Sequence, residues 1–236
     1  MTSTRRLART AGLCYLVVAI FGGFAHLYVR ARVYTPGDAA TTAQNVAADA
    51  SLVRIGFVAD LVQATFFLFV VMALSRLLQQ GNKNVARAMV IFVAVAVGIT
   101  SLNMVHQLGA LLVATEPSYA GGLGAGGSDA LVLLLLDLQH YGYLIAQIFF
   151  GLWLFPLGLL AYRSDMFPRP LGVLLMLGTI CYLIDVLLQF LAPELADSIS
   201  ALILAPATIG EVWLLAYLLI RGVKTPLPAD RTLSAA

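Results

Sequence analysis

Charge is what this chain has least of. Only 11% of its 236 residues are Asp, Glu, Lys or Arg, against roughly 25% in soluble domains, while 61% are hydrophobic and the mean hydropathy is +0.92. So few charged side chains cannot cover a water-facing surface, which excludes an ordinary soluble domain and puts the chain in a membrane. The net charge of +2 is too small to hold a phosphate backbone and excludes nucleic acid as a partner. Cysteine is almost absent. Cys14 and Cys181 fall inside apolar runs with no C-x-x-C, and they read as small packing residues rather than a disulfide framework or thiolate metal site. Several motifs of common chemistries are missing too. No Gly-Lys-Ser/Thr closes the glycine run SYAGGLGAGGSD, no H-E-x-x-H supplies paired zinc ligands, and neither Ser51 nor Ser101 stands in G-x-S-x-G. The residues assign no metal and leave any cofactor open.

What is present is a series of six apolar runs, each near or above the roughly 20 residues a helix needs to cross a bilayer. The first, from about Thr10 to Val29, follows Arg5, Arg6 and Arg9. Its basic flank is like that of a secretion signal, but it is too long and lacks a small-x-small cleavage site, so it reads as a retained membrane helix. The second begins near Ser51 and ends near Leu78; the third, from about Val85, stops at Glu116-Pro117. The fourth occupies Asp129 to Arg163 with a bend at Pro156, the fifth starts at Pro170, and the sixth runs from about Ser198 to Ile220 with a bend at Pro206. Between the first two, Pro36-Gly37 turns the chain and Asp38 caps a short Ala-rich helix. The glycine run reads as a flexible loop, after which Ser128 or Asp129 caps the fourth helix.

The expected fold is therefore all-α and polytopic: a six-transmembrane-helix bundle with a short extracytoplasmic helix between helices 1 and 2. Residues 1–9 read as a cytoplasmic N-terminal segment, 10–223 as the transmembrane domain, and 224–236 as a disordered cytoplasmic tail. Of the 14 Lys and Arg residues, all but Arg30, Arg32 and Arg54 fall on the face that carries both termini. The positive-inside rule makes that face cytoplasmic.

The chain is organised around DALVLLLLDLQHYGYLIAQIFFGLWLFPLGLLAYR, whose first half carries Asp137, Gln139, His140, Tyr141, Tyr143 and Gln147. Asp137 and His140 stand one helical turn apart, and Tyr143 and Gln147 continue their stripe. Facing an ionisable group to lipid costs about 2.5–3.5 kcal/mol, so this stripe belongs inside a bundle. The other runs add His26, Asp60, Gln63, Asn103, His106, Asp185, Gln189 and Glu211. In helices running outward these residues come late; in helices running inward they come early or midway. They therefore share one layer in the outer half of the membrane, as an outward-facing polar cavity would require.

Carboxyls and imidazoles gathered in a low-dielectric site can provide both a general acid and a general base. Asp137 and His140, as a D-x-x-H dyad, with Asp60, Asp185 and Glu211, are the candidate catalytic groups. Asn103, His106, Tyr143, Gln147 and Gln189 are the candidate ligand-binding groups. The competing reading is structural: polar side chains bonding across helices, each worth about 0.6–2 kcal/mol. It suits Gln63 and Gln189 taken singly, and His26 as an interfacial residue, better than it suits four carboxyls together. Two functions fit the layer. One is binding, or acid/base chemistry on, a small amphipathic or lipid-like molecule. The other is ion- or proton-coupled transport or sensing, although VADLVQATFF and LIDVLLQFLA, compared as halves of an inverted repeat, differ in depth.

The stretches RTAGLCYLVVAIFGGFAHLYVR, PGDAA, RIGFVADL, LDLQHYGYLIAQIFFGLWLFPLGLL, PRPLGVLLMLGTICYLID and the late Ile209 to Glu211 resemble a bacterial family of uncharacterised integral membrane proteins, domain of unknown function 4386. The resemblance covers nearly the whole chain. It implies a compact multi-span protein of a bacterial inner membrane with the lipid bilayer as its surroundings, and it brings no activity, cofactor or catalytic role.

Overall fold

In a bilayer every backbone N–H and C=O must find its partner within the segment, and apolar runs of this length meet that demand as helices. The computed structural model describes residues 3–224. Its helices are α1 (Ser3–Val33), α2 (Ala39–Ala48), α3 (Ala50–Leu78), α4 (Lys83–Thr115), α5 (Pro117–Leu123), α6 (Ala125–Leu152), α7 (Leu154–Arg163), α8 (Arg169–Leu191) and α9 (Pro193–Ile220). Six stretches are long and apolar enough to cross a membrane: α1, α3, α4, α6 with α7, α8 and α9. The expected all-α, six-span architecture is what the chain forms. The short helix α2 is present as well, capped by Asp38, whose Oδ1 accepts from the Thr41 N–H at 3.0 Å. That bond holds the Asp38 carboxyl below the usual carboxylate range.

Local details differ from expectation in three places. The glycine run is helical rather than a loop. Pro117 starts α5 with a backbone angle already suited to a first helical turn, and α6 begins at Ala125 after a single left-handed residue, Gly124 at φ +70°. Gly124, not Ser128 or Asp129, thus occupies the cap position. The fourth span breaks at Trp153, three residues before Pro156, because proline has no N–H to return to the carbonyl one turn back. Finally, α1 starts at Ser3, so helix fills most of the segment expected to precede it. The tail expected to be disordered lies, apart from Lys224, outside the described residues.

One face of the bundle gathers both ends of the described chain. Gly222 lies against Arg5, and the Lys224 N–H donates to the Met166 carbonyl at 3.2 Å. This terminal face covers a large apolar core in which Leu74, Leu78, Met89, Trp153, Leu154, Leu157, Leu171, Leu175, Leu214 and Leu218 are fully buried. Near the opposite face α2 covers a smaller apolar cluster that includes Val46, Val53, Ala110, Leu111, Val132 and Leu136. Between the clusters lie the polar residues: on α1 after Val18 and before Val33, on α3 between Val53 and Phe67, on α6 between Leu136 and Trp153. Close approach of α7 and α8 depends on Gly158 and Gly172. A Cβ at Gly158 would stand 2.6 Å from the Gly172 carbonyl oxygen, and one at Gly172 would stand 2.7 Å from the Gly158 oxygen.

Candidate functional site

The site begins with an irregularity in α1. Residues Phe24–Arg30 form a π-helix, a widened turn that is rare in helices and concentrates at functional positions. It carries His26 and Arg30 into the bundle. The Arg30 guanidinium donates through Nη1 to Gln139 Oε1 and lies over the Tyr34 ring, 4.9 Å from its centre; its Nη2 is buried with no hydrogen-bond partner. His26 Nε2 stands 3.4 Å from Asp60 Oδ1, within ion-pair range but without hydrogen-bond alignment, so both atoms are buried and unbonded. The His26 ring rests against Tyr143 at 4.6 Å between centres.

Three further pairings surround this centre. Asp185, only 2% exposed, accepts from Gln147 Nε2 through Oδ2 at 2.7 Å, and its Oδ1 is buried without a partner. Glu211 is held by two phenols: Tyr15 donates to Oε2 at 2.5 Å and Tyr182 to Oε1 at 3.0 Å. Tyr34, just beyond α1, donates to Asp137 Oδ1 at 2.5 Å. Burial, reinforced by that bond, pushes the Tyr34 phenol well up, which keeps it a proton donor.

Three cavities meet at His26. The narrowest, about 20 Å³, lies among Arg30, Tyr34, Asp60 and Gln139. A second, about 360 Å³, is lined by Tyr15, Gln63, Tyr143, Tyr182 and Glu211 together with apolar Val18, Leu27, Val212 and Leu215. A third, about 280 Å³, is lined by Arg30, His140, Tyr143, Gln147, Asp185 and Gln189. Tyr143 walls both larger cavities.

Of the residues singled out in the sequence, His140, Tyr143, Gln147, Asp185 and Gln189 come together around the third cavity, Glu211 joins Tyr143 at the second, and Asp60 lines the first. Gln189 also donates to Ser200 at 3.1 Å. The D-x-x-H dyad does not form as a bonded pair: Asp137 takes its hydrogen bond from Tyr34. Asn103 and His106 are joined to each other at 3.1 Å, and Asn103 Nδ2 donates to the Gln139 carbonyl at 2.6 Å, which ties α4 to α6; neither Asn103 nor His106 lines any of the three cavities.

The sequence alone does not single out Arg30 or Tyr15, gives Gln139 and Tyr182 no role in the site, and places His26, taken singly, at the interface. The four-residue spacing of His26 and Arg30 was a usable signal, since such a pair shares a helix face. Tyr182 stands on the face of its helix that carries Asp185 and Gln189, but nothing in the sequence marked Tyr15 as its companion on Glu211. Among the described residues no group of three or more His, Cys, Asp or Glu is arranged to hold a metal ion. The groups on hand can bind a polar ligand and exchange protons with it: His26 beside Asp60, and Glu211 between two phenols.

No solved structure matches the chain. A protein of Archaeoglobus fulgidus, described as uncharacterized, is 32% identical over 157 residues, covering 66% of this chain and 76% of the relative. The model of a family described as "Domain of unknown function (DUF4386)" matches residues 10–222, all six spans. On a match of that extent, the chain belongs to the DUF4386 family.

Proposed function

We propose that this protein draws a small amphipathic or lipid-like molecule from the bilayer into a polar cavity on the extracytoplasmic side, and acts on it by acid/base chemistry. One observation carries the reading: the 360 Å³ cavity has a polar interior and an apolar rim. Its interior presents Glu211, His26 and Tyr143, while Leu27 and Val212 at its edge are 80% and 59% exposed. Large apolar side chains exposed on membrane-spanning helices face acyl chains, so the opening suits a ligand with its tail left in lipid. Within the cavity His26, with Asp60, supplies the proton exchange, and Glu211 orients the polar end. His140 and Asp185 serve the adjoining space. Transport is the weaker reading, because Phe67, Leu74, Trp153, Leu154 and Leu157 close the terminal side with packed apolar side chains.

The test is native mass spectrometry of gently extracted full-length protein beside Gly23→Leu. A Cβ at Gly23 meets no atom within 4 Å, and the residue lines the cavity, so leucine fills the space without disturbing the fold. The wild type should retain a discrete amphiphile and the variant should retain several-fold less at equal thermal stability. Equal loads, or no amphiphile on the wild type, would sink the proposal.

The same reading puts both termini in the cytoplasm of a cell whose plasma membrane, in a bacterium the inner membrane, holds the protein. In a Cys14→Ala, Cys181→Ala background, Ala48→Cys should react with an impermeant maleimide in intact cells (spheroplasts, where an outer membrane is present). Asn82→Cys should react only after permeabilisation. The reverse pattern inverts the topology and moves the cavity to the cytoplasmic side.

A further inference from the structure

Resting on that reading, we infer that the ligand's polar end is zwitterionic, an anionic group joined to a primary ammonium, as in a phosphoethanolamine head group. The 280 Å³ cavity has Arg30 and Asp185 on its walls. Each is fixed by one protein partner, Arg30 Nη1 by Gln139 and Asp185 Oδ2 by Gln147, and each keeps one buried atom without any, Nη2 and Oδ1. Asp60 Oδ1 and His26 Nε2, 3.4 Å apart, are also buried without a hydrogen bond on the adjoining wall. Arginine can only donate and an ionised carboxylate can only accept, so the unmet demands are of opposite kinds. A simple anion would satisfy Arg30 and leave Asp185 unmatched; a simple amine would do the reverse. Leaving either unmatched costs the desolvation of a buried charge. A phosphate or carboxylate on Arg30 with an ammonium N–H on Asp185 meets both. A quaternary ammonium has the charge but no N–H to give.

Space and access agree. The cavity holds roughly nine water volumes at about 30 Å³ each, enough for a head group of this size. Tyr143 and His26 line both larger cavities, which sets the head-group site beside Arg30 directly against the space that opens past Leu27.

The experiment offers the full-length protein equimolar phosphatidylethanolamine, phosphatidylcholine and phosphatidylglycerol with identical acyl chains, and reads the bound lipid by native mass spectrometry. Phosphatidylethanolamine should exceed each of the others at least tenfold. Arg30→Gln and Asp185→Asn should each reduce that preference below threefold while total bound lipid persists. If either variant fails to fold, the wild-type competition decides alone. A parallel arm adds millimolar free phosphoethanolamine. Binding of that compound in place of lipid supports the zwitterion and assigns its source to the aqueous phase, whereas undisturbed phosphatidylethanolamine assigns it to the bilayer. Equal retention of the three lipids overturns this inference and leaves the lipid-binding proposal standing. Retention of neither lipid nor phosphoethanolamine overturns both.

Discussion

Gly172→Ala should lower the unfolding temperature of the detergent-solubilised protein by about 2–12 °C, as expected for an overpacking cost of about 1–3 kcal/mol in a chain of this size. The added methyl group would lie 2.7 Å from two backbone atoms, the Gly158 carbonyl oxygen and the Tyr162 nitrogen. Neither can rotate away as a side chain would. Relief requires α7 and α8 to part, which loosens Leu154, Leu157, Leu171 and Leu175, all at the centre of the terminal-side core. Gly98→Ala is the control. That glycine sits on an exposed helix face where a Cβ meets nothing within 4 Å, and alanine there should be neutral or stabilising by up to about 1 kcal/mol. Indistinguishable melting of the two variants would mean that the α7–α8 contact is looser than the coordinates place it.

The second large effect belongs to Glu211. Glu211→Ala removes the acceptor of two phenols, Tyr15 at 2.5 Å and Tyr182 at 3.0 Å, and leaves both hydroxyls without their partner at the edge of the core. At about 1–3 kcal/mol for each stranded group, the variant should lose about 2–6 kcal/mol of stability. Glu211→Gln keeps an acceptor and the shape, and should lose less than half as much. The loss is due to stranded groups rather than to the carboxylate itself, so adding Tyr15→Phe and Tyr182→Phe to Glu211→Ala should restore part of it. Tryptophan fluorescence can follow the unfolding, since Trp153 packs edge-on against Tyr15 at 6.3 Å. A triple variant no more stable than Glu211→Ala alone would mean that the phenols contribute nothing through their hydroxyls.

The coarse architecture was legible because hydrocarbon imposes it. Length and apolarity sufficed for six spans, Asp38 announced α2, and along α1, α3, α4 and α6 the polar residues lie at the depth between the two apolar clusters. Rotation about the helix axis was harder to read. Counting charges put Arg30 with Arg32 and Arg54 simply on the face opposite the termini. In the fold Arg32 pairs with Asp49 at 2.6 Å on the surface while Arg30 turns inward. The 3.6-residue period used to rank faces does not hold through the π-helical stretch of α1, so the spacing of His26 and Arg30 showed that they share a face but not that this face turns inward. On α6 the period placed Asp137 and His140 on one face correctly enough. What it could not supply was Tyr34, arriving from the far end of α1 to take the aspartate's hydrogen bond. The helical glycine run was hidden for a different reason: one left-handed residue, Gly124, is enough to turn the chain, and the other glycines follow their neighbours.

The widened turn at Phe24–Arg30 also determines how the chain tolerates a change of length. The wider turn takes up one residue more than α-turns would over the same rotation, so deleting one residue there lets the helix relax to ordinary bonding with the segments on either side still in register. Gly12 would keep Leu218 beside it and Tyr15 would keep Glu211. Relatives one residue shorter in this stretch can therefore inherit the seam between first and last spans unchanged, whereas a deletion in the regular part of α1 would swivel everything before it by about 100° and break that seam.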